Sequence, residues 1–276
     1  MSKLKKVFSL SREVFENRKL IWSLAKNDFK TKYAGSYFGT IWAFIQPIVT
    51  VLVYWFVFQK GLKAHDISLS SNVEVPFVLW LIAGIVPWFF FSDAWGAGTN
   101  TLNEYAYLVK KVVFKVSILP IVKIISALFV HVAFLALAVI IYCCYGKFPD
   151  IYYLQLIYYS FCAFMLVLGM SYATSAIVVF FKDLTQIVGI ILQVGIWMTP
   201  IMWDLEAMEI SPLIKNIFKL NPMYYITAGY RNVFIYKVNF WQQPRLTIYF
   251  WVLTLSMFGI GTVIFKRLKV HFADVL

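Results

Sequence analysis

The sequence predicts an all-α membrane protein: six transmembrane helices, an N-terminal amphipathic interface helix, and a re-entrant helical hairpin between spans five and six. Three observations carry that prediction. The chain is 61% hydrophobic and 14% charged, where a soluble domain runs at roughly 45–50% and 25%. Residues 39–59, GTIWAFIQPIVTVLVYWFVFQ, contain no charge and as a helix would reach about 31 Å, the depth of a bilayer's hydrocarbon core. Further apolar runs follow, set apart by short polar and basic segments. The 276 residues divide into a cytoplasmic interface segment, 1–38, and a membrane domain, 39–276. They leave no soluble stretch of the ~100 residues that a separate nucleotide-binding or catalytic domain needs.

Residues 1–38 hold nine Lys and Arg. Val14, Phe15, Arg18, Ile21, Trp22, Ala25 and Phe29 follow i, i+3, i+4 spacing, so this segment reads as a basic amphipathic helix in the interface plane. No apolar core precedes a small-residue cleavage site, so a signal peptide is not expected. After the first span, residues 60–74 read as a polar loop. The second span is 75–95, interrupted by Pro87. Residues 96–115 are polar with helical character. The third apolar run, 116–145, starts its membrane part near Lys123, whose amine is expected to snorkel to the headgroups.

A loop with Pro149 leads to the fourth span, 153–181. The Lys182-Asp183 turn leads to the fifth, 184–203, broken near Thr199-Pro200. The sixth is 246–265. Residues 204–245 between the last two are too apolar for a solvated loop. They read as two short helices, the second opened by an Asn221 cap with Pro222 at its first position, dipping in from one face as a hairpin. Loop charges place both termini in the cytoplasm, with sixteen Lys and Arg on the termini side and eight on the other. The net charge of +12 then answers to anionic headgroups and orientation, not to nucleic acid.

Catalytic motifs are missing from the sequence. It has no G-x-x-x-x-G-K-[ST], no H-E-x-x-H and no G-x-S-x-G. His65, His131 and His271 are too scattered for a metal site, and Cys143, Cys144 and Cys162 read as small buried hydrophobes. Asp93 and Asp183 fall at span ends, so ion-coupled carriage, which uses mid-membrane ionisable groups, is not expected. Aromatic residues make up 19% of the chain. Most belong to interfacial belts, but Trp42, Gln46, Thr50 and Tyr54 recur every fourth position. That face suits either stacking on sugar rings or ordinary helix–helix contact.

Four stretches resemble a known family: DFKTKYAGSYFGTIWAFIQP (28–47), NEYAYLVKKVVFKVSILP (103–120), FFKDLTQIVGIILQVGIWMTPI (180–201) and NPMYYITAGYRNVFIYK (221–237). Together they are similar to the permease subunits of type-2 ABC exporters of polysaccharides: O-antigen, capsule and, closest in the wording LVKKVVF, teichoic acid. The resemblance implies that the chain is not an enzyme. It implies a homodimer with two ABC ATPase subunits, which bind ATP and Mg, and no cofactor on this chain. It places ATPase coupling within 96–115, at Asn103, Glu104 and Tyr105, with a smaller contact at Lys182 and Asp183. It makes Trp42, Gln46, Thr50, Tyr54, Gln193, Trp197 and Thr199 the substrate path, and the 204–245 hairpin, with Tyr224, Tyr225 and Arg231, the outer gate. Arg18, Lys19, Lys26, Lys30 and Lys32 would attract either the pyrophosphate of a lipid-linked glycopolymer or membrane lipids generally. The resulting expectation is export of that polymer across the plasma membrane. The alternatives are a drug or small-lipid exporter, a membrane-embedded transferase and an ion channel.

Overall fold

The computed structural model describes residues 13–61, 67–70, 73–110 and 115–276. Lys3, Lys5, Lys6, Arg12, Lys63 and Lys111 lie outside the described residues, as do positions 111–114 of the segment expected to meet the ATPase.

The described chain is almost wholly helical. Helix α1 is Arg18–Lys32 and α2 is Trp42–Trp55, entered through a 3-10 turn at Gly39–Ile41 and left through a π turn at Phe56–Gly61. A small antiparallel hairpin follows, β1 Ile67–Ser70 and β2 Val73–Val75, pairing Ile67 with Val75. The sequence reading has only a polar loop there. Then come α3 Phe77–Glu104, the short α4 Ala106–Val109, α5 Leu119–Cys144 and α6 Gln155–Val178. Helices α7 Leu184–Met198, α8 Pro212–Lys219, α9 Pro222–Arg231, α10 Pro244–Leu268 and α11 Phe272–Val275 complete the order. Among the described residues five segments are long and apolar enough to cross a membrane: Gly39–Gly61, Phe77–Glu104, Val116–Cys144, Ile151–Val178 and Pro244–His271. Helix α7 is the sixth apolar helix. It is shorter, 15 residues or about 22 Å, and continues into irregular backbone from Thr199.

Helix α3 is the centre. It is buried along most of its length against α5, α6, α7 and α9. That burial corrects two expectations. Pro87 does not interrupt the helix, and the helix does not stop at Trp95 but runs on to Glu104. Proline in a helix costs about 3 kcal/mol, and contacts on every side of α3 outweigh it. The polar residues 96–104, read as the start of a separate segment, are the last turns of the same rod.

Helices α6 and α10 form the closest pair. A Cβ on Gly261 would collide with the Gly169 carbonyl, and one on Gly169 would stand 2.8 Å from the Phe258 nitrogen. Two glycines thus let the backbones touch, the usual basis of helix contact where lipid removes the hydrophobic drive. Buried hydroxyls pair with backbone: Tyr142 donates to the Leu79 carbonyl at 2.7 Å and Tyr172 to that of Ser117 at 2.9 Å. In the 204–245 segment, the Ser211 and Asn221 side chains cap α8 and α9, and Pro stands at the start of each.

Candidate functional site

Helix α2 carries four of the residues expected along a substrate path. Trp42, at its start, is 43% exposed, with Phe38 edge-on at 5.7 Å. The Gln46 side chain lies outside the described residues. Thr50 and Tyr54 turn toward the chain's own helices: Thr50 borders a cavity with α3 and α5, and Tyr54 packs on the core. The exposed strip of α2 is aliphatic and aromatic instead, with Val49, Leu52, Val53 and Phe56. On α7, Gln193 and Trp197 are exposed. Thr199 is not: it is fully buried, and its hydroxyl accepts a 2.8 Å hydrogen bond from Asn221 Nδ2. Helix α7 ends one residue earlier, and extended backbone at Thr199 turns the chain inward.

That turn brings two carbonyls to Arg231. Its Nη1 donates to the Pro200 oxygen at 2.6 Å, its Nη2 to that of Ile201 at 2.9 Å, and the guanidinium lies 3.3 Å over the Trp80 ring. Arg231 is 6% exposed. It clamps the end of α7 onto α3 and α9, the hydrogen bond to a helix end that the sequence left open beside a contact to substrate. Of the other two gate candidates, Tyr224 is half-buried. Tyr225 is core: it stacks on Phe250 at 4.8 Å, and its hydroxyl meets those of Tyr158 and Thr247 at 3.0 Å each.

The far end of α3 holds a network that the sequence does not announce. Asp28 on α1 is 5% exposed, and its Oδ1 accepts from Lys123 Nζ at 2.6 Å and from the Tyr105 hydroxyl at 2.7 Å. Lys123 Nζ also meets Glu104 Oε2 at 2.5 Å. One turn beyond Asp28, Lys32 reaches Asp93 Oδ1 at 2.6 Å. Lys123 therefore points inward to two carboxylates and does not snorkel, and Asp93 sits inside α3, not at a span end. Burial, and then the hydrogen bond to Asp28, push the Tyr105 phenol well above its usual range, so it remains a donor. Burial pulls the Lys32 amine down, but Asp93, with smaller help from Tyr33 and Asp28, offsets this and leaves it raised.

Asn103 is half-buried beside this network, and Lys182 and Asp183 are exposed at their turn. Arg18, Lys19, Lys26 and Lys30 are exposed along α1. The apolar side of that helix lies on α5, with Trp22 and Phe29 edge-on to Phe129 at 5.2 and 5.9 Å. Asp28 and Lys32 stand four apart, on one side of α1, and that spacing was the available signal. Their partners, 95 and 61 residues away, leave no local trace. Among the described residues no group of three or more His, Cys, Asp or Glu is placed to hold a metal.

A family model described as ABC-2 type transporter matches residues 19–235. The chain is similar to the O-antigen export system permease protein RfbA of Myxococcus xanthus, 27% identical over 225 residues, 82% of this chain and 84% of that one. It is similar to a Klebsiella pneumoniae protein of the same name, 26% identical over 263 residues, 93% and 95% of the two chains. A second Klebsiella pneumoniae protein so named is 24% identical over 262 residues, with the same coverage.

Proposed function

The chain belongs to the ABC-2 type transporter family, and on that premise we propose that it is the permease subunit of an exporter of a lipid-linked glycopolymer across the plasma membrane. One observation carries the reading: the likeness to O-antigen export permeases runs over 93% of the chain, so it takes in the coupling end, the spans and the hairpin together. The wording of residues 108–114 favours a teichoic acid as cargo, and the names of the relatives favour an O-antigen; a capsular polysaccharide is the remaining alternative.

The geometry suits such a role. Helices α2 and α7 are the least buried of the apolar helices, with one buried residue in each among the described side chains. Two copies facing each other through these helices would enclose a passage between them. Two ATPase subunits, binding ATP and Mg, would press on the coupling segment around 96–110 and on the Lys182-Asp183 turn. Helix α3 would carry that push as one rod, and the Asp28 network would pass it to α1 and, through residues 33–41, to α2. Both termini would lie in the cytoplasm. This chain performs no covalent step: it positions, shields and moves.

Depleting the chain in its native cell is the test. Lipid-linked polymer should accumulate inside while surface polymer falls, and the chain should co-purify with an ATPase. Unchanged surface polymer would overturn the reading, and the identity of the accumulated polymer decides between the cargoes.

A further inference from the structure

Helix α7 is short of partners on one flank. Of its 15 residues only Val188 is buried. It meets α3 closely at Gly195, where an added Cβ would stand 2.8 Å from the Trp88 ring. Gln186, Gln193 and Trp197 share the flank assigned to the substrate path. Ile191, Val194 and Met198 lie about a third of a turn further round. There a cavity of about 520 Å³ separates α7 from Met170 on α6 and Met257 on α10. Trp88 and Phe91 of α3 form its floor, and the ends of α8 and α9 close it on the hairpin's side. From Ile190 to Met198 it follows α7 for about 12 Å, within the ~15 Å of one leaflet's hydrocarbon.

The walls decide what fits. No charged side chain lines them. Their polar side-chain groups are the Asn221 amide and the indole N–H groups of Trp88 and Trp95. The amide is engaged: its oxygen accepts from Met223 N at 3.0 Å and its nitrogen donates to Thr199 at 2.8 Å. An indole donates only. Water would need two to four polar partners per molecule, and a sugar ring would give up hydroxyl hydrogen bonds that these walls do not replace. The cavity does supply adaptable apolar contact. Met170, Met198, Met223 and Met257 reach it from four different helices, and methionine is the flexible, polarizable residue that moulds to an irregular partner. A hydrocarbon chain meets all of these conditions.

Continuity with the outer surface indicates its source. Ile190, Val194 and Ile217 on the rim are exposed, and the two helices across the gap carry exposed aliphatic residues on their outer sides, such as Ile157 and Val252. The cleft thus joins surface of the kind that bilayer lipid covers. Its lining offers no cation to the phosphates of a lipid carrier, and bulk phospholipid outnumbers any carrier, so mass action favours the bulk lipid.

We propose that this cleft binds one acyl chain of a bilayer phospholipid, which packs α7 against α3, α6 and α10. The chain occupies the flank of α7 away from Gln193 and Trp197, so a lipid that fits the cleft fixes where the path flank stands. The proposal requires only that the protein lies in a bilayer and is independent of the cargo.

The test uses the permease, purified with its ATPase, in discs of phosphatidylethanolamine and phosphatidylglycerol. A trace phospholipid carries a diazirine halfway along one acyl chain. Samples are irradiated before and after a detergent wash that strips loosely held lipid, and labelled peptides are read by mass spectrometry. Before the wash, peptides containing residues 190–198, 157 and 252 should all be marked. After it, the 190–198 peptide should keep its label while those with Ile157 and Val252 lose theirs. Val194→Phe, which puts a ring into the cleft, should weaken the retained label about tenfold, what displacing two buried methylene groups removes. Gln193→Phe, which adds the same ring to the other flank, should leave it unchanged. Equal loss at all three peptides on washing means ordinary surrounding lipid and overturns the proposal. Absence of label at 190–198 before washing means that protein or water fills the cleft and overturns it too. If a photoreactive isoprenyl phosphate at equal mole fraction displaces the phospholipid label, the occupant is a carrier's tail and the phospholipid assignment fails.

Discussion

Two carbonyl oxygens at the end of α7 depend on one guanidinium. Arg231 meets Pro200 and Ile201 with separate nitrogens while its plane rests on Trp80. A lysine has the charge but not the fork. Arg231→Lys should therefore behave nearly as badly as Arg231→Met, with each lost partner leaving a buried carbonyl at a cost of about 1–3 kcal/mol. Thermal unfolding of the purified permease checks this, and a lysine variant as stable as the parent would restore Arg231 to a free gate residue. Asp28 is the second such residue. Asp28→Asn should loosen α1, at about 1–3 kcal/mol, below the 3–5 of a fully isolated buried pair because Glu104 still holds Lys123. Hydrogen exchange should rise together in residues 18–32 and 104–110, while Lys19→Gln, on the exposed side, should change neither. The Asn221 cap could be read from the sequence because its partner is two residues away, Met223 N at 3.0 Å. The roles of Arg231 and Asp28 could not, because a side chain's tertiary partner is not a local property.

At the scale of elements, glycine placement and one surface charge cluster are the testable features. Helices α6 and α10 touch at Gly169 and Gly261. Gly261→Ala should force the pair apart and lower the yield of folded protein in membranes, whereas Gly259→Ala, which meets open space one residue-pair away, should be neutral. Equal behaviour of the two would remove the close crossing. On the 204–245 segment, Glu206 joins Lys219 at 2.7 Å, and Lys215 Nζ donates to its carbonyl at 2.9 Å. The hydrogen bond from Lys219 holds the Glu206 carboxyl below its usual value. A depressed acid contributes stability above its unfolded pKa, near 4.5, and loses it as pH falls through the folded value. Exchange of α8 amides should therefore increase below about pH 4.5 and not between pH 5 and 8, and Glu206→Gln should remove that step. The apolar spans were legible because their periodicity and length are local. The continuation of α3 past Trp95 was not, because residues 96–104 look polar until α5 and α6 are seen to enclose their inner side.

The whole molecule leaves α2 unexplained by its own contacts. A membrane helix is held by packing and polar contacts with its neighbours, since lipid offers no hydrophobic gain. Yet α2 buries only Ala43 among its described side chains and exposes Val49, Leu52, Val53 and Phe56. Helices α6 and α10 also show aliphatic surface, as at Ile157 and Val252, but their opposite sides are locked together, so lipid can cover what remains. For α2, a second copy of this chain would supply the missing packing, with equivalent surfaces meeting about a two-fold axis. Cysteine cross-linking in membranes tests this once Cys143, Cys144 and Cys162 are replaced. Leu52→Cys and Val53→Cys should give a dimer band with a short bifunctional maleimide. Ile157→Cys, more exposed at 73% against 54% and 50%, should give none. Exposure alone predicts the opposite order, so cross-linking at residue 157 without cross-linking at 52 and 53 would return α2 to the lipid and take the shared passage with it.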